Sequence, residues 1–256
     1  MTIGIGLLHE ARRLGLEVFS CHGDEAVARC PMCGKERHLY FNHRKKVYDC
    51  KHCGMAGTYL QLCEALCKQA SENFTEAKKT QLANDRGIPP SAFDGYEIGV
   101  CDAGFLLPVR DLDGTLRDLR QYSLGHKSRS TAGLTVGLFG APRLAVPEHK
   151  EYPVYLCEGE WDAIAFEFLR MKVHEPGVVV GVPGANIFKD EWRSWFKGRN
   201  VFLCFDYDEA GRLGQARAAN KLASIARTVQ VLEWPSDTLD KTDVRDLVKE
   251  VFTHEN

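Results

Sequence analysis

Two groups of residues in this chain have the types and spacing to do chemistry. The first is acidic. Asp206 and Asp208 close the apolar run 200–205, and Glu209, Gly211 and Arg212 open a helical pattern behind them. Carboxylates so close repel and raise one another's pKa. A helix N-terminus welcomes acids, which accounts for Glu209 but not for Asp206 at the end of a strand. A divalent cation accounts for both aspartates. A second apolar run, 154–157, also ends in acid, Glu158-Gly159-Glu160-Trp161-Asp162, and Asp240, Asp243 and Asp246 follow a later one. Hard oxygen ligands in this number suit Mg²⁺ or Mn²⁺ rather than zinc. One or two such ions can activate a hydroxyl, orient a phosphate and stabilise a leaving group. Separate helix caps would explain any one cluster, but explain all three poorly.

The second group is Cys30 and Cys33, then sixteen residues, then Cys50 and Cys53. Paired cysteines at this spacing predict a structural zinc site with four thiolate ligands. Gly34 and Gly54 follow the two pairs, where a tight knuckle needs permissive backbone. Residues 38–42 and 46–49 can pair as a hairpin between them. His38, His43 and His52 are spare ligands that four thiolates make unnecessary. Around the cysteines lie Arg29, Lys35, Arg37, Arg44, Lys45, Lys46 and Lys51, seven cations against the two acids Glu36 and Asp49, with Tyr40, Phe41 and Tyr48 among them. Cations for phosphates and rings for bases predict a single-strand nucleic-acid surface, the alternative being a solvated face of a small domain.

The elements that must position these groups follow from patterning. An amphipathic helix is expected over 3–16 and another over 57–69, with Cys63 and Cys67 turned to one core. Residues 68–81 are polar and weakly patterned, as in a linker. Short strands are expected at 96–100, 105–110, 116–122 and 136–139, with a hairpin turn at 111–114. From residue 152 strands alternate with helices: 153–157, helix 161–171, 178–182, helix 188–196, 201–205, helix 210–227, 229–233, helix 244–252. That rhythm predicts a parallel sheet covered on both faces. Ligands bind at the carboxyl edge of such a sheet, which would set Glu158 beside Asp206 and Asp208. The expected domains are 1–68 around the zinc site, a linker 69–84, a mixed α+β segment 85–150 and the α/β domain 151–256.

Composition narrows the class. The 256 residues are 44% hydrophobic and 27% charged, as in an ordinary globular protein. No apolar run approaches the roughly 20 residues of a membrane helix, and the N-terminus lacks the basic n-region of a signal peptide. A cytoplasmic location is therefore expected, where ten cysteines read as metal ligands or packing groups rather than disulfides. The net charge of −2 gives no global attraction to nucleic acid.

Glu158-Gly159-Glu160-Trp161-Asp162 and Asp206-Tyr207-Asp208-Glu209-Ala210-Gly211-Arg212 resemble the Toprim motifs. With the four-cysteine pattern before them, the chain resembles the DnaG-type primases, most closely the primase half of phage helicase-primases. Arg86-Gly87-Ile88, Arg120 and His126-Lys127-Ser128-Arg129 resemble the basic segment that precedes Toprim in that family. The resemblance implies a Rossmann-like Toprim sheet, an α+β primase subdomain and an N-terminal zinc ribbon. It implies synthesis of short RNA primers from ribonucleoside triphosphates on single-stranded DNA. It makes Glu158, Asp206 and Asp208 catalytic, adds Asp162 and Asp243 as ligands of Mg²⁺ or Mn²⁺, and assigns Arg120, Lys127 and Arg129 to nucleotide or template. Arg44, Lys45, Lys46 and Tyr40 of the ribbon would join the template contacts. Thr242 separates Lys241 from Asp243, unlike the family pattern, and leaves open which acid of the third cluster faces the metal. A non-catalytic recombination mediator with zinc finger and Toprim parts, and a Toprim nuclease, are the alternatives. No Walker-type loop occurs, so a separate replicative helicase is the expected partner, the alternative being that the chain is the primase half of a longer helicase-primase.

Overall fold

The computed structural model describes residues 3–234 and 237–253. The chain forms two compact units. The first comprises 1–79, 95–109 and 116–136, the second 80–94, 110–115 and 137–256.

In the first unit, α1 (Ile3–Arg13) precedes five short strands, β1 (Val18–His22), β2 (Glu25–Ala28), β3 (Leu39–Asn42), β4 (Val47–Cys50) and β5 (Ala56–Thr58), which pair in chain order as an antiparallel sheet. Alternation puts Ala26, Ala28, Leu39, Phe41, Tyr48 and Cys50 inside. Helix α2 (Tyr59–Ser71) buries Tyr59, Leu62, Cys63, Leu66, Cys67 and Ala70, a stripe at helical spacing, so Cys63 and Cys67 are packing residues. Its start is fixed by Gln61, whose Oε1 accepts from the Thr58 N–H at 2.8 Å. Strands β6 (Gly99–Cys101), β7 (Gly104–Arg110), β8 (Leu116–Tyr122) and β9 (Arg129–Ser130) form a second sheet in that order. One apolar cluster joins α1, the ribbon, α2 and residues Leu106, Leu116 and Leu119.

The chain passes from the first unit into the second within α3 (Glu76–Arg86), most of which lies in the stretch expected to be a linker. Its sequence favours helix by propensity, but only Leu82 and Ala83 are buried, so the apolar stripe is too short to read. The parallel sheet follows: β10 (Val154–Cys157), α4 (Glu160–Lys172), β11 (Val178–Gly181), β12 (Asn200–Cys204), α5 (Glu209–Leu222), β13 (Thr228–Val231) and α6 (Val244–Thr253). The spatial order is β11-β10-β12-β13, all parallel. The chain therefore reverses direction across the sheet between β10 and β12, the switch point at which such folds bind ligands. The expected strand 136–139 reduces to one bridge, Phe139 to Gly181. The expected α-helix 188–196 is a 3-10 segment, Asp190–Phe196, whose backbone is set by the packing of Phe188, Trp192 and Phe196 rather than by propensity.

Candidate functional site

The four thiolates meet in the first unit. The Sγ atoms of Cys30, Cys33, Cys50 and Cys53 all lie within 4.8 Å of one another, with Cys30 to Cys53 and Cys33 to Cys50 at 3.9 Å. Four sulfurs about 2.3 Å from one tetrahedral ion stand about 3.8 Å apart, so the cluster fits structural zinc. Two matched knuckles build it. Gly34 N–H donates to Cys30 O and Gly54 N–H to Cys50 O, and both glycines are left-handed, at φ 71° and 72°. Burial pushes the Cys30 thiol up to about 12, whereas backbone N–H groups of Cys53 and His52 outweigh burial at Cys50 and lower it to about 7, so without metal Cys50 is the thiolate that its protonated neighbours stabilise.

The basic surface beside it is weaker than its local sequence implies. Arg29 is held at 2.6 Å by both Glu17 and Glu36, Arg44 faces Asp24 at 3.4 Å, and Lys51 pairs with Asp49. Folding also sets Glu25 opposite Asn42, on the outward face that carries Tyr40. The seven cations thus meet five acids, not two. Arg44, Lys45 and Lys46 remain exposed at the β3–β4 hairpin tip.

Arg120 is not a surface cation. It is 7% exposed, donating to Ser130 Oγ at 2.8 Å and Ser128 O at 3.4 Å, and so braces the segment that carries Arg129. Arg129 is half-exposed and reaches Glu10 at 3.2 Å and Gln121 Oε1. Lys127 is exposed. Glu10 was not singled out by sequence, yet it is 3% exposed and also accepts from Gln121 Nε2 at 2.6 Å and Ala132 N–H at 3.2 Å. Its place on the apolar stripe with Leu7, Leu8 and Ala11 was the available signal.

The acids gather in the second unit. Cys157 and Cys204 are register partners, so the residues after them, Glu158 and Phe205-Asp206, leave adjacent strand ends together. Asp208 caps α5, its side chain accepting from Gly211 N–H at 2.6 Å, so the capping role and the place in the cluster coexist. Tyr207 N–H donates to Thr242 O and Lys241 N–H to Tyr207 O, both at 2.8 Å, which stitches the third acidic loop beside Asp206. Asp243 is the member of that loop whose charge acts on Asp206 and Asp162. Asp246 turns to Lys249 at 2.7 Å, and Asp240 is exposed. Between Asp162 and Asp243 lies Arg245, which sequence reasoning missed: Nε stands 2.9 Å from Asp162 Oδ1, and the guanidinium also pairs with Asp243.

Glu158 Oε2 and Asp206 Oδ1 are buried without a hydrogen-bond partner. Burial, then the charges of Asp162, Glu158 and Asp243, pushes Asp206 up to about 8. Burial and the Asp208 charge raise Glu158. Orphaned, mutually repelling oxygens of this kind fit a divalent cation, whose charge would reverse both effects. Among the described residues only the four cysteines bring three or more such ligand atoms within 4.8 Å of one another, so the acids converge without forming a closed cage.

Close backbone packing holds this edge. A Cβ on Gly211 would overlap the Asp206 carbonyl oxygen and stand 3.1 Å from Glu158 Oε2. Gly211→Ala is expected to destabilise the metal-free protein by about 1–3 kcal/mol through overpacking. The measurement is the urea midpoint, and an unchanged midpoint would show that α5 shifts freely.

Residues 155–248 match the family model described as Toprim-like. No curated protein matches the sequence. Among solved structures, the zinc-binding and RNA polymerase domains of the Aquifex aeolicus primase align over 98% of this chain and 81% of theirs, at 16% identity and TM-score 0.50. A DnaG primase catalytic domain bound to single-stranded DNA aligns over 76% of each chain, at 19% identity and TM-score 0.56. The E. coli primase catalytic core aligns over 77% and 79%, at 19% identity and TM-score 0.55. Residues 155–248 are thus a Toprim-like domain, in a chain that shares its fold with DnaG primase cores.

Proposed function

We propose that this protein is a DNA primase, which joins ribonucleotides into short primers on single-stranded DNA. The observation that carries the reading is the pair of orphaned oxygens, Glu158 Oε2 and Asp206 Oδ1, at the switch point of a Toprim-like sheet. The four-thiolate ribbon in the same chain, and the shared fold of primase cores, support it. The 3′-hydroxyl of one nucleotide would attack the α-phosphate of the next, with pyrophosphate leaving. Glu158, Asp206 and Asp208 would hold Mg²⁺ or Mn²⁺, which when bound supplies Lewis-acid stabilisation of the developing charge. As the alternative to a place in that ligand set, Glu158 would take the proton of the attacking hydroxyl. Exposed Lys127 and half-exposed Arg129 would attract phosphates, and Arg44, Lys45, Lys46 and Tyr40 the template. Zinc on Cys30, Cys33, Cys50 and Cys53 would hold the ribbon's shape. Because Arg29, Arg44 and Lys51 are paired with acids and the net charge of the chain is −2, binding to single strands would be weak and salt-sensitive. A replicative helicase that tethers the protein to its template would offset this.

The test supplies single-stranded DNA, ribonucleoside triphosphates and Mg²⁺ or Mn²⁺ at physiological salt, with and without a replicative helicase. Labelled oligoribonucleotides, more abundant with helicase, are the expected product. Degraded DNA would establish a nuclease instead, and neither product a non-catalytic mediator.

A further inference from the structure

The five carboxylates at the sheet edge are not equivalent. Asp162 and Asp243 share Arg245, whose Nε lies 2.9 Å from Asp162 Oδ1, whose guanidinium also pairs with Asp243, and whose N–H donates to Asp243 Oδ1 at 2.8 Å. These side chains are 21%, 11% and 15% exposed for Arg245, Asp162 and Asp243, so the group is largely dry. Asp162 Oδ1, Glu158 Oε2 and Asp206 Oδ1 are all buried without a hydrogen bond, but of the three only Asp162 Oδ1 has a cation against it, Arg245, as an ion pair; Asp208 Oδ1 accepts from Gly211 N–H. Arg245 also stands in the first turn of α6, where the helix dipole disfavours a cation. The acids around it make that position favourable, Asp162 and Asp243 in contact and Asp206 at longer range.

We propose that Arg245 is a resident counter-ion for Asp162 and Asp243, so that the acid edge takes one divalent cation, on Glu158, Asp206 and Asp208, and not two. This rests on the metal-site reading above and fixes its stoichiometry. Two-metal sites hold their ions about 3.5–4 Å apart between shared oxygen ligands. Here the two carboxylates needed to complete a second site already face a guanidinium, a planar fork suited to carboxylates. Its charge is fixed and is independent of metal concentration.

Stoichiometry, not activity, decides the matter. The zinc-loaded 256-residue chain is titrated with Mn²⁺, and free Mn²⁺ is counted by electron paramagnetic resonance. The wild type should bind one ion at the acid edge, and Asp206→Asn should weaken it at least about a hundredfold. Asp162→Asn should keep one ion, with affinity lowered by no more than the about 10–100-fold of a residue beside the ligand set. Arg245→Gln should admit a second ion. Should that variant fail to fold, because two buried carboxylates lose their partner, the Asp162→Asn arm still decides. Two ions on the wild type, or loss of the ion in Asp162→Asn, overturns the counter-ion role while leaving the metal site standing. No ion on the wild type, or one indifferent to Asp206→Asn, overturns both.

Discussion

Cys50→Ser should release zinc and unfold the first compact unit from the ribbon outward, while the parallel sheet of the second persists. Cys50 is buried at the end of β4, and its Sγ stands 3.9 Å from that of Cys33. A hydroxyl there is a poor zinc ligand and leaves three thiols crowded around a void. Structural zinc contributes about 10–16 kcal/mol of apparent free energy in small zinc domains. Whole domains are stable by only about 5–15 kcal/mol, so losing the ion exceeds what the ribbon's short strands can supply. The loss should not stop at the knuckles. Cys30, Cys50 and Phe41 belong to one apolar cluster with Leu7, Tyr59 and Leu62, and Phe41 stacks on Tyr59 at 5.7 Å. Hydrogen exchange should therefore show protection lost across β2–β4 and weakened through α2, with β10 and β12 still protected. Zinc analysis must show the metal gone. A zinc-free variant with full protection of β2–β4 would mean that the cysteines are packing residues only.

The positions of the two chemical groups were legible because each rests on a strong local rule. Paired cysteines need only two knuckles, and the pattern of an apolar run ended by acid needs only a parallel sheet. The register of Cys157 with Cys204 then sets the two acidic ends side by side. What was not legible depends on contacts between distant segments. Arg245 meets Asp162 across 83 residues, and no periodicity announces that pair, although a cation in a first helical turn is a mild anomaly. Arg120 and Arg129 read as free cations because their partners lie elsewhere in the unit, Glu10 in α1 and Ser128 and Ser130 across β8 and β9. The ribbon's charge was overstated for the same reason, since Glu17, Asp24 and Glu25 lie outside the segment that was counted. Helix α3 was missed because its helix-favouring residues bury almost nothing.

Asp206→Asn should abolish primer synthesis and yet leave the metal-free protein more stable at neutral to alkaline pH. Asp206 Oδ1 is buried without a partner, at an edge where Glu158, Asp162 and Asp243 act on it. Asparagine keeps the size but loses the charge that holds a hard cation. Lewis-acid stabilisation is worth several kcal/mol, and each 1.36 kcal/mol is tenfold in rate, so a loss of about 10³-fold or more follows. The stability effect has the opposite sign. Burial and neighbouring charge push Asp206 up to about 8 in the folded chain, against about 4 when unfolded. Between those values the folded state holds a proton that the unfolded state has released, so stability falls as pH rises from about 4 to about 8 and then levels. Asparagine has no proton to lose and escapes that fall. Metal-free melts of variant and wild type should therefore nearly coincide near pH 4 and separate near pH 8, with the variant higher. Relief of even about 1 kcal/mol would raise Tm by about 2–4 °C in a protein of this size. Saturating Mg²⁺ should reverse the order, because only the wild type gains stability from the bound ion. A variant that melts lower than wild type at pH 8 without metal, or that still makes primers at the wild-type rate, would show that Asp206 serves the fold and not the cation.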